Sequence, residues 1–359
     1  MPSEKLPAAQ VEPEPSDSMG DAEFRQLSID VLDGAHRDIF TRAITRILDT
    51  EIAEITYAQI IDGLPLALVA YDSRGGGPYR GHPIYNVHKE LCSGIVDKTR
   101  EFRRNFDARI LKFDSRLLFA YRSAAPGSRV FNIRLIEMIA ISVHQIAVAL
   151  FQLDESCHQD DGISQWAPPK SEELYWYRHP NGPPPTLFIH PFYLDHDQYP
   201  DGTGNMVGYW AEARILGGVV LFDRRRVDPD PDAVYFHPDR KDETYRIFEL
   251  LPEQKQSLLN FLTADSPVSP SPLPILADDN NRNRVDPEER IEDTGIFRNT
   301  WDRKEHPVTY ADRRFRDVWD TMDFPTHEDK YEAGLRARDA KNRHDYGDDW
   351  EEMLKKYYD

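Results

Sequence analysis

Cysteine is scarce in this chain, and the usual signs of a secreted protein are missing. Of 359 residues only Cys92 and Cys157 are cysteines, which excludes a disulfide framework and the paired spacing of a zinc finger. The N-terminus lacks the apolar segment of a signal peptide, and no Asn-x-Ser/Thr glycosylation sequon occurs. These absences predict a cytoplasmic protein whose thiols are reduced.

The chain has fewer basic than acidic residues, 44 against 63. Its formal net charge is -19 at pH 7, and a surface this negative repels nucleic-acid phosphates and anionic lipids. The most apolar stretch, Phe131–Leu153, is long enough to cross a membrane. Its polar residues, however, fall on one arc of a helix: Arg134, Glu137, His144, Gln145 and Gln152. We therefore predict a largely buried helix of a soluble protein, with neither nucleic acid nor membrane as a partner.

Several motifs of well-known enzyme classes are absent. The sequence contains no His-Glu-x-x-His zinc motif and no Gly-x-Ser-x-Gly nucleophile motif. The glycine run Gly75–Gly77 lacks the Lys-Ser/Thr that completes a phosphate-binding loop, so we interpret it as a flexible loop. These absences argue against the common metalloprotease, hydrolase and nucleotide-binding classes.

Composition divides the chain into three parts. The mean hydropathy is -0.65, and the polar excess lies at the two ends, where segments cannot bury enough apolar surface to fold. We predict a disordered N-terminus over residues 1–23 and a single domain over residues 24–264. Residues 265–359, here called the C-terminal segment, are predicted to form a proline-rich linker and an acidic, mostly extended tail, with one helix near Tyr310–Thr321.

Hydrophobic periodicity predicts helices in the first half of the domain and short strands in the second. The predicted helices are His36–Ile61, Asp97–Arg122, Phe131–Leu153 and a closing helix at Pro252–Leu262. The predicted strands are Leu66–Tyr71, Leu174–Arg178, Thr186–Leu194, Val207–Ile215, Val219–Arg224, Ala233–His237 and Thr244–Leu250. This order predicts an α+β fold in which N-terminal helices pack on an antiparallel β-meander, followed by the closing helix and an extended C-terminal tail.

Histidines and carboxylates are concentrated in the predicted β region. If its strands pair as a meander, His190, His196, His237 and Asp239 could converge and bind a divalent metal through imidazole and carboxylate. The alternative is that these histidines lie at strand ends near solvent, since two of them precede proline. The sequence leaves both possibilities open.

Glu212 is the candidate catalytic residue. In an extended strand its carboxylate would share one face with Trp210 and Arg214. A neighbouring tryptophan could raise the carboxyl pKa and make Glu212 an acid or base. The alternative is an ion pair with Arg214, which would make the residue structural.

The segment Gly208–Arg224 (GYWAEARILGGVVLFDR) carries the one resemblance to a known family. Together with Asp197-x-Tyr-Pro-Asp-Gly202 and Tyr235-Phe-His-x-x-Arg240, it resembles the signature of an uncharacterised filamentous-fungal protein family without assigned activity. Some members lie beside secondary-metabolite gene clusters, so the resemblance implies an accessory role in fungal secondary metabolism. It assigns no catalytic residues, and it leaves the cofactor unknown.

These observations predict a non-catalytic protein that binds a small molecule or acts as an accessory factor. One alternative is a metal-dependent enzyme acting on a small molecule. Another is a protein-interaction scaffold, in which the basic stretch Lys98–Arg122 receives the acidic end of the C-terminal segment. The expected partner is accordingly a small molecule or another protein.

Overall fold

Helices, one five-stranded antiparallel sheet and one two-stranded antiparallel sheet make up the described part of this chain. The computed structural model describes residues 25–73, 78–225, 230–266, 268–304, 320, 322–347, 349–350 and 352. Its helices are α1 Gly34–Leu48, α2 Glu51–Asp62, α3 Ala67–Tyr71, α4 Ile84–Val87, α5 Ile95–Asn105, α6 Ser115–Ser123, α7 Arg129–Gln152, α8 Glu173–Arg178, α9 Thr203–Leu216, α10 Pro252–Thr263, α11 Ile291–Thr294 and α12 His327–Tyr346. The strands are β1 Gln26–Leu27, β2 Phe113–Asp114, β3 Val219–Asp223, β4 Val234–His237, β5 Ile247–Glu249, β6 Arg284–Val285 and β7 Ile296–Phe297. The α+β prediction is confirmed.

Helix α7 lies at the centre of the fold, in contact with α1, α2, α6, α9 and β3. It begins after Ser128, whose hydroxyl accepts a hydrogen bond from the Phe131 amide. The helix is long and apolar enough to cross a membrane, but 78% of its most apolar window is buried inside the fold. It is thus the core helix that the sequence predicted, as is consistent with a soluble protein.

The larger sheet has the strand order β6-β5-β4-β3-β7, with every neighbouring pair antiparallel. Along β3, Val220 and Phe222 join the main core with the helices, whereas Val219 and Leu221 join a second cluster around Tyr209. This alternation follows from the two-residue period of a strand. Because both faces are covered, β3 is buried throughout and apolar up to its last residue, Asp223. The predicted meander of β3, β4 and β5 is confirmed.

The predicted strand Val207–Ile215 is wrong, because this segment forms most of α9. Every residue from Gly204 to Leu216 is buried, so the helix has apolar or paired residues on all sides and shows no amphipathic period. Its aromatic and branched residues then resemble a strand when the sequence is considered alone. The helix ends at Gly217, whose φ of 112° is the left-handed conformation that terminates helices.

Other predicted segments also differ from the structure. The predicted helix His36–Ile61 is divided into α1 and α2, because Thr50 caps the start of α2 with its side chain. Leu66–Tyr71 and Leu174–Arg178, predicted as strands, are largely helical, and Thr186–Leu194 has no regular structure. Short apolar runs do not distinguish helix from strand. The predicted helix Asp97–Arg122 is divided into α5, a 3-10 turn, β2 and α6. Asp107 and Asp114 interrupt it, since their carboxylates accept hydrogen bonds from nearby backbone amides.

The C-terminal segment contributes to the fold more than an extended tail would. It supplies β6 and β7, the two outer strands of the larger sheet. Leu273 and Ile275 are buried in the main core, and the Ile275 amide donates a hydrogen bond to the Leu216 carbonyl at 2.8 Å. The composition of the C-terminal segment did not indicate these strands and core residues, because short edge strands between prolines carry little periodic signal. The helix predicted near Tyr310–Thr321 and the Gly75–Gly77 loop lie almost wholly outside the described residues.

We predict that Gly217→Ala destabilises the fold by about 2–5 kcal/mol, because it adds left-handed backbone strain and a clash. A Cβ at this position would lie 2.0 Å from the carbonyl oxygen of Ile275. Gly34→Ala is the matched control, since nothing lies within 4 Å of its Cβ position. It should leave stability unchanged or raise it by up to about 1 kcal/mol. Urea unfolding of both variants measures the difference, and equal midpoints would contradict the docking of Ile275 on α9.

Candidate metal centre

A buried carboxylate at the end of α2 is the starting point of the site. Asp62 is fully buried and is the last residue of its helix. The free carbonyls of a helix C-terminus are already partly negative, so a carboxylate there is electrostatically unfavourable without cationic or donor partners. The chain turns directly after it at Gly63, which has a φ of 101°. A side chain at Gly63 would lie 1.8 Å from the Ser156 hydroxyl, so glycine allows the loop that follows α7 to approach the end of α2.

The loop between α4 and α5 brings two further ligand types to Asp62. Nε2 of His88 lies 3.2 Å from Asp62 Oδ2, and the backbone amide of Cys92 donates to the same oxygen at 2.8 Å. Nδ1 of His88 lies 2.9 Å from the Pro65 carbonyl. Because a carbonyl can only accept, Nδ1 carries a proton. Nε2 donates a second proton to Asp62 when the ring is charged, and in the neutral ring it offers its lone pair to a cation.

The loop after α7 supplies the fourth group. Nε2 of His158 lies 3.4 Å from Cys92 Sγ and 3.5 Å from Asp62 Oδ1. Its Nδ1 is 2.5 Å from an Asp161 carboxylate oxygen, which fixes the ring in the same way as Pro65 fixes His88. A carboxylate or carbonyl behind a histidine is the usual arrangement around a metal-binding imidazole.

Three separations within this group are close to those around a tetrahedral ion. Within the described part of the chain, Asp62, His88, Cys92 and His158 form a group whose ligand atoms all lie within 4.8 Å of one another. Bonds of about 2.0–2.3 Å in a tetrahedron place ligand atoms about 3.3–3.8 Å apart. His158 Nε2 lies 3.4 Å from Cys92 Sγ and 3.5 Å from Asp62 Oδ1, and His88 Nε2 lies 3.2 Å from the other carboxylate oxygen, Oδ2. Oδ1 of Asp62 is buried and accepts no hydrogen bond from the described residues, so it remains available for a cation.

Burial and mutual contact set the charges of these groups. Burial would raise the pKa of Asp62, but hydrogen bonds from His88 and Cys92 outweigh it and lower that pKa. Burial likewise opposes protonation of His88, yet the contact with Asp62 raises its pKa. The pKa of Cys92 rises to about 12, first through burial and then through Asp62. The carboxylate is therefore charged, and a cation, either a proton or a metal ion, is favoured beside it.

The four residues that the sequence predicted as metal ligands are only partly brought together. The rings of His190 and His237 are 4.8 Å apart, but His190 Nε2 donates to the His237 carbonyl and its Nδ1 accepts from the Phe192 amide. Burial lowers the pKa of His190 to about 4. His196 is exposed, and Asp239 lies 2.9 Å from Arg214. Their role as metal ligands stays a prediction.

Glu212 is buried in α9 and is paired differently from the strand-based prediction. Arg298 forms two hydrogen bonds to its carboxylate at 2.7 and 2.8 Å, and His144 Nδ1 lies 2.8 Å away. Arg214 instead reaches Asp72 and Asp239. Burial would raise the pKa of Glu212, but Arg298 and His144 outweigh it and lower that pKa. The carboxylate is held charged, and an acid or base role stays a prediction.

Sequence reasoning did not select the Asp62 group because its members are far apart along the chain. Residues 62, 88, 92 and 158 come from three separate segments, and catalytic or ligand partners of this kind are neighbours only in space. A signal was nevertheless present. His88 and Cys92 are four residues apart, His158 follows Cys157 directly, and these are the only two cysteines in the chain.

Comparison with protein-family models, with curated proteins and with solved structures finds no significant match to this chain. The function of the chain is therefore inferred from its own geometry.

We predict that Arg298→Ala destabilises the protein by about 3–5 kcal/mol, because it leaves the Glu212 carboxylate buried without its main partner. The exposed Arg282→Ala is the control and should change stability by less than about 0.5 kcal/mol. The double variant Glu212→Leu, Arg298→Met removes both charges and should recover part of the loss. Chemical unfolding measures the free energy of unfolding of each variant. An Arg298→Ala variant as stable as the control would contradict a structural role for the pair.

Proposed function

We propose that this protein binds one zinc-type transition-metal ion through Asp62, His88, Cys92 and His158. The observation that carries the proposal is the convergence of four ligand atoms within 4.8 Å, with both imidazoles oriented by acceptors on their Nδ1 atoms. One thiolate, two imidazoles and one carboxylate suit zinc better than calcium or magnesium, which prefer oxygen ligands alone.

The proposed ion has a structural role. Four protein ligands complete a tetrahedral shell, whereas catalytic zinc usually keeps one position open for water. The ion would join the end of α2, the loop before α5 and the loop after α7. His158 also lines an open groove of about 890 Å³ beside this junction. Binding of the ion would therefore hold one wall of that groove in place.

We expect the protein, purified without chelator or metal-affinity resin, to contain close to one zinc ion per chain by elemental analysis. Cys92→Ser and His158→Ala each remove one ligand and should lose most of the metal. The control is His196→Ala, which removes an exposed histidine of the other candidate group and should retain the full metal content. Thermal unfolding with and without added zinc should show a rise in Tm for the wild type and His196→Ala, but not for Cys92→Ser or His158→Ala.

The outcomes separate the two candidate metal sites. Zinc lost in Cys92→Ser and His158→Ala but kept in His196→Ala supports the Asp62 group. Zinc kept in the first two variants and lost in His196→Ala would favour the group of His190, His196, His237 and Asp239 instead. A folded wild-type protein that binds no zinc even when zinc is added would refute the proposal.

Small-molecule binding is a second candidate function, and a separate cavity favours it. A cavity of about 420 Å³ lies between the loop before α4 and the proline-rich segment before α9. Its walls are mainly aromatic, aliphatic and proline side chains, among them Tyr79, Trp166, Tyr175, Leu187 and Ile189. Cavities of this size and character are typical of sites for small apolar ligands. An accessory role in fungal secondary metabolism, which the resemblance implies, would be compatible with such a site.

We predict that the neutral aromatic ketone Prodan binds this cavity, with a shift of its fluorescence to shorter wavelength and saturation at micromolar concentration. Leu194→Trp adds bulk at the cavity wall and should weaken binding about tenfold, or by about 1.4 kcal/mol. Val130→Trp adds the same bulk at an exposed position of α7 outside the lining residues and should have no effect. Equal binding by both variants would place the probe elsewhere.

Cytoplasmic localisation belongs to the same proposal, because a thiolate ligand requires a reducing compartment. The scaffold alternative has less support from the geometry. Basic residues of α5 pair with acidic groups of the fold, as Arg100 and Arg103 do with Glu54, and Lys98 with Glu155. These pairs already use part of the basic surface that the scaffold model assigns to the acidic C-terminal residues.

A further inference from the structure

The backbone amides of the two cysteines both donate hydrogen bonds to one residue, Asp62. The backbone amide of Cys92 donates to the Asp62 side chain at 2.8 Å, and the backbone amide of Cys157 donates to the Asp62 main-chain carbonyl at 3.1 Å. His158, the residue after Cys157, lies 3.4 Å from the Cys92 sulfur. Sixty-five positions separate the two cysteines in sequence, so the fold alone makes them neighbours.

Their side chains differ in exposure. Cys157 is exposed to solvent, whereas Cys92 is half-buried. The Cys157 thiol contributes to the raised pKa of Cys92, after the larger effects of burial and Asp62. Only Cys92 belongs to the group of metal ligands, so Cys157 is a second thiol near that group.

We propose that Cys92 and Cys157 are an oxidation-sensitive pair, and that their disulfide removes Cys92 from the metal and releases the ion. This proposal rests on the metal site proposed above. Its geometric basis is the hydrogen bonding of both cysteine backbones to Asp62, together with the ring of His158, the residue after Cys157, which lies 3.4 Å from the Cys92 sulfur. The pair would make metal binding conditional on a reducing environment.

The chemistry balances with hydrogen peroxide as the oxidant. The thiolate of exposed Cys157 attacks one peroxide oxygen, the O–O bond breaks, and a sulfenic acid and hydroxide form. The Cys92 sulfur then leaves the ion and attacks the Cys157 sulfur, displacing the sulfenic oxygen as hydroxide. With protons returned to both hydroxides, two thiols and one peroxide give one disulfide and two waters. A small dithiol reverses the step by thiol–disulfide exchange.

Loss of the thiolate leaves Asp62, His88 and His158 as ligands. A three-ligand site without sulfur binds zinc less tightly. Loss of an outer-shell hydrogen bond alone typically costs about 10–100-fold in affinity, and loss of a ligand should cost at least as much. Oxidation should therefore release the ion to a competing chelator.

The test uses the full-length, reduced, zinc-loaded protein treated with hydrogen peroxide. The chromogenic chelator 4-(2-pyridylazo)resorcinol reports released zinc, and mass spectrometry reports the loss of two hydrogens and the peptide that links residues 92 and 157. We expect release and cross-linking to proceed together and to reverse on addition of dithiothreitol. Cys157→Ser keeps all four ligands, so it should bind zinc as the wild type does and release it at least tenfold more slowly.

The outcomes distinguish this proposal from the metal site itself. Zinc that is bound but neither released nor accompanied by the cross-link would overturn the redox proposal and leave the metal site intact. Release from Cys157→Ser at the wild-type rate would overturn it as well, because Cys92 would then be oxidised without its neighbour. A reduced protein that binds no zinc would overturn the metal site. If that protein still formed the cross-link, the two cysteines would be an oxidation-sensitive pair, but the proposed release of a metal ion would be overturned.

Discussion

The pairing of one buried carboxylate, Glu212, joins parts of this fold that are distant in sequence. A charge in the dry interior costs several kcal/mol unless well-placed partners compensate it. Here the partners are Arg298, which follows β7, His144 of the central helix α7, and the amide of Val220 in β3. The outer strand and the central helix must therefore meet α9. Tyr209 of α9 also connects that helix to the C-terminal segment, because its hydroxyl donates a hydrogen bond to Asp302.

A second buried carboxylate, Asp62, is stabilised by partners of a different kind. Glu212 faces an arginine, whose planar fork holds the carboxylate in a fixed geometry and binds no metal. Asp62 instead faces two imidazoles and a thiol, all of which also bind transition metals. The first arrangement is suited to permanent structure. The second can exchange a proton for a metal ion, and the neighbouring Cys157 thiol makes it accessible to oxidation.

The elements that the sequence predicted well are those whose signals are local. Helix α10 begins with Pro252 at its first position, α7 has a polar arc, and β3 and β4 are short apolar runs between turn residues. Helix α9 was missed because its burial on every side removes the period on which such a prediction depends. The candidate metal ligands were missed for a related reason, since no local pattern connects Asp62 with His158. His190 and His237 did converge, yet backbone groups occupy both nitrogens of His190.

The sequence by itself determined the α+β class, the acidic character and the core helix, because hydrophobic period and composition act over short stretches of chain. Tertiary structure alone decided which of the scattered histidines, carboxylates and thiols meet. It brought residues 284–285 and 296–297 into the sheet and placed Arg298 against Glu212. It also gathered three distant segments at Asp62. Such contacts depend on packing between elements, whose free energy is shared among residues far apart in the chain and leaves no local pattern in the sequence.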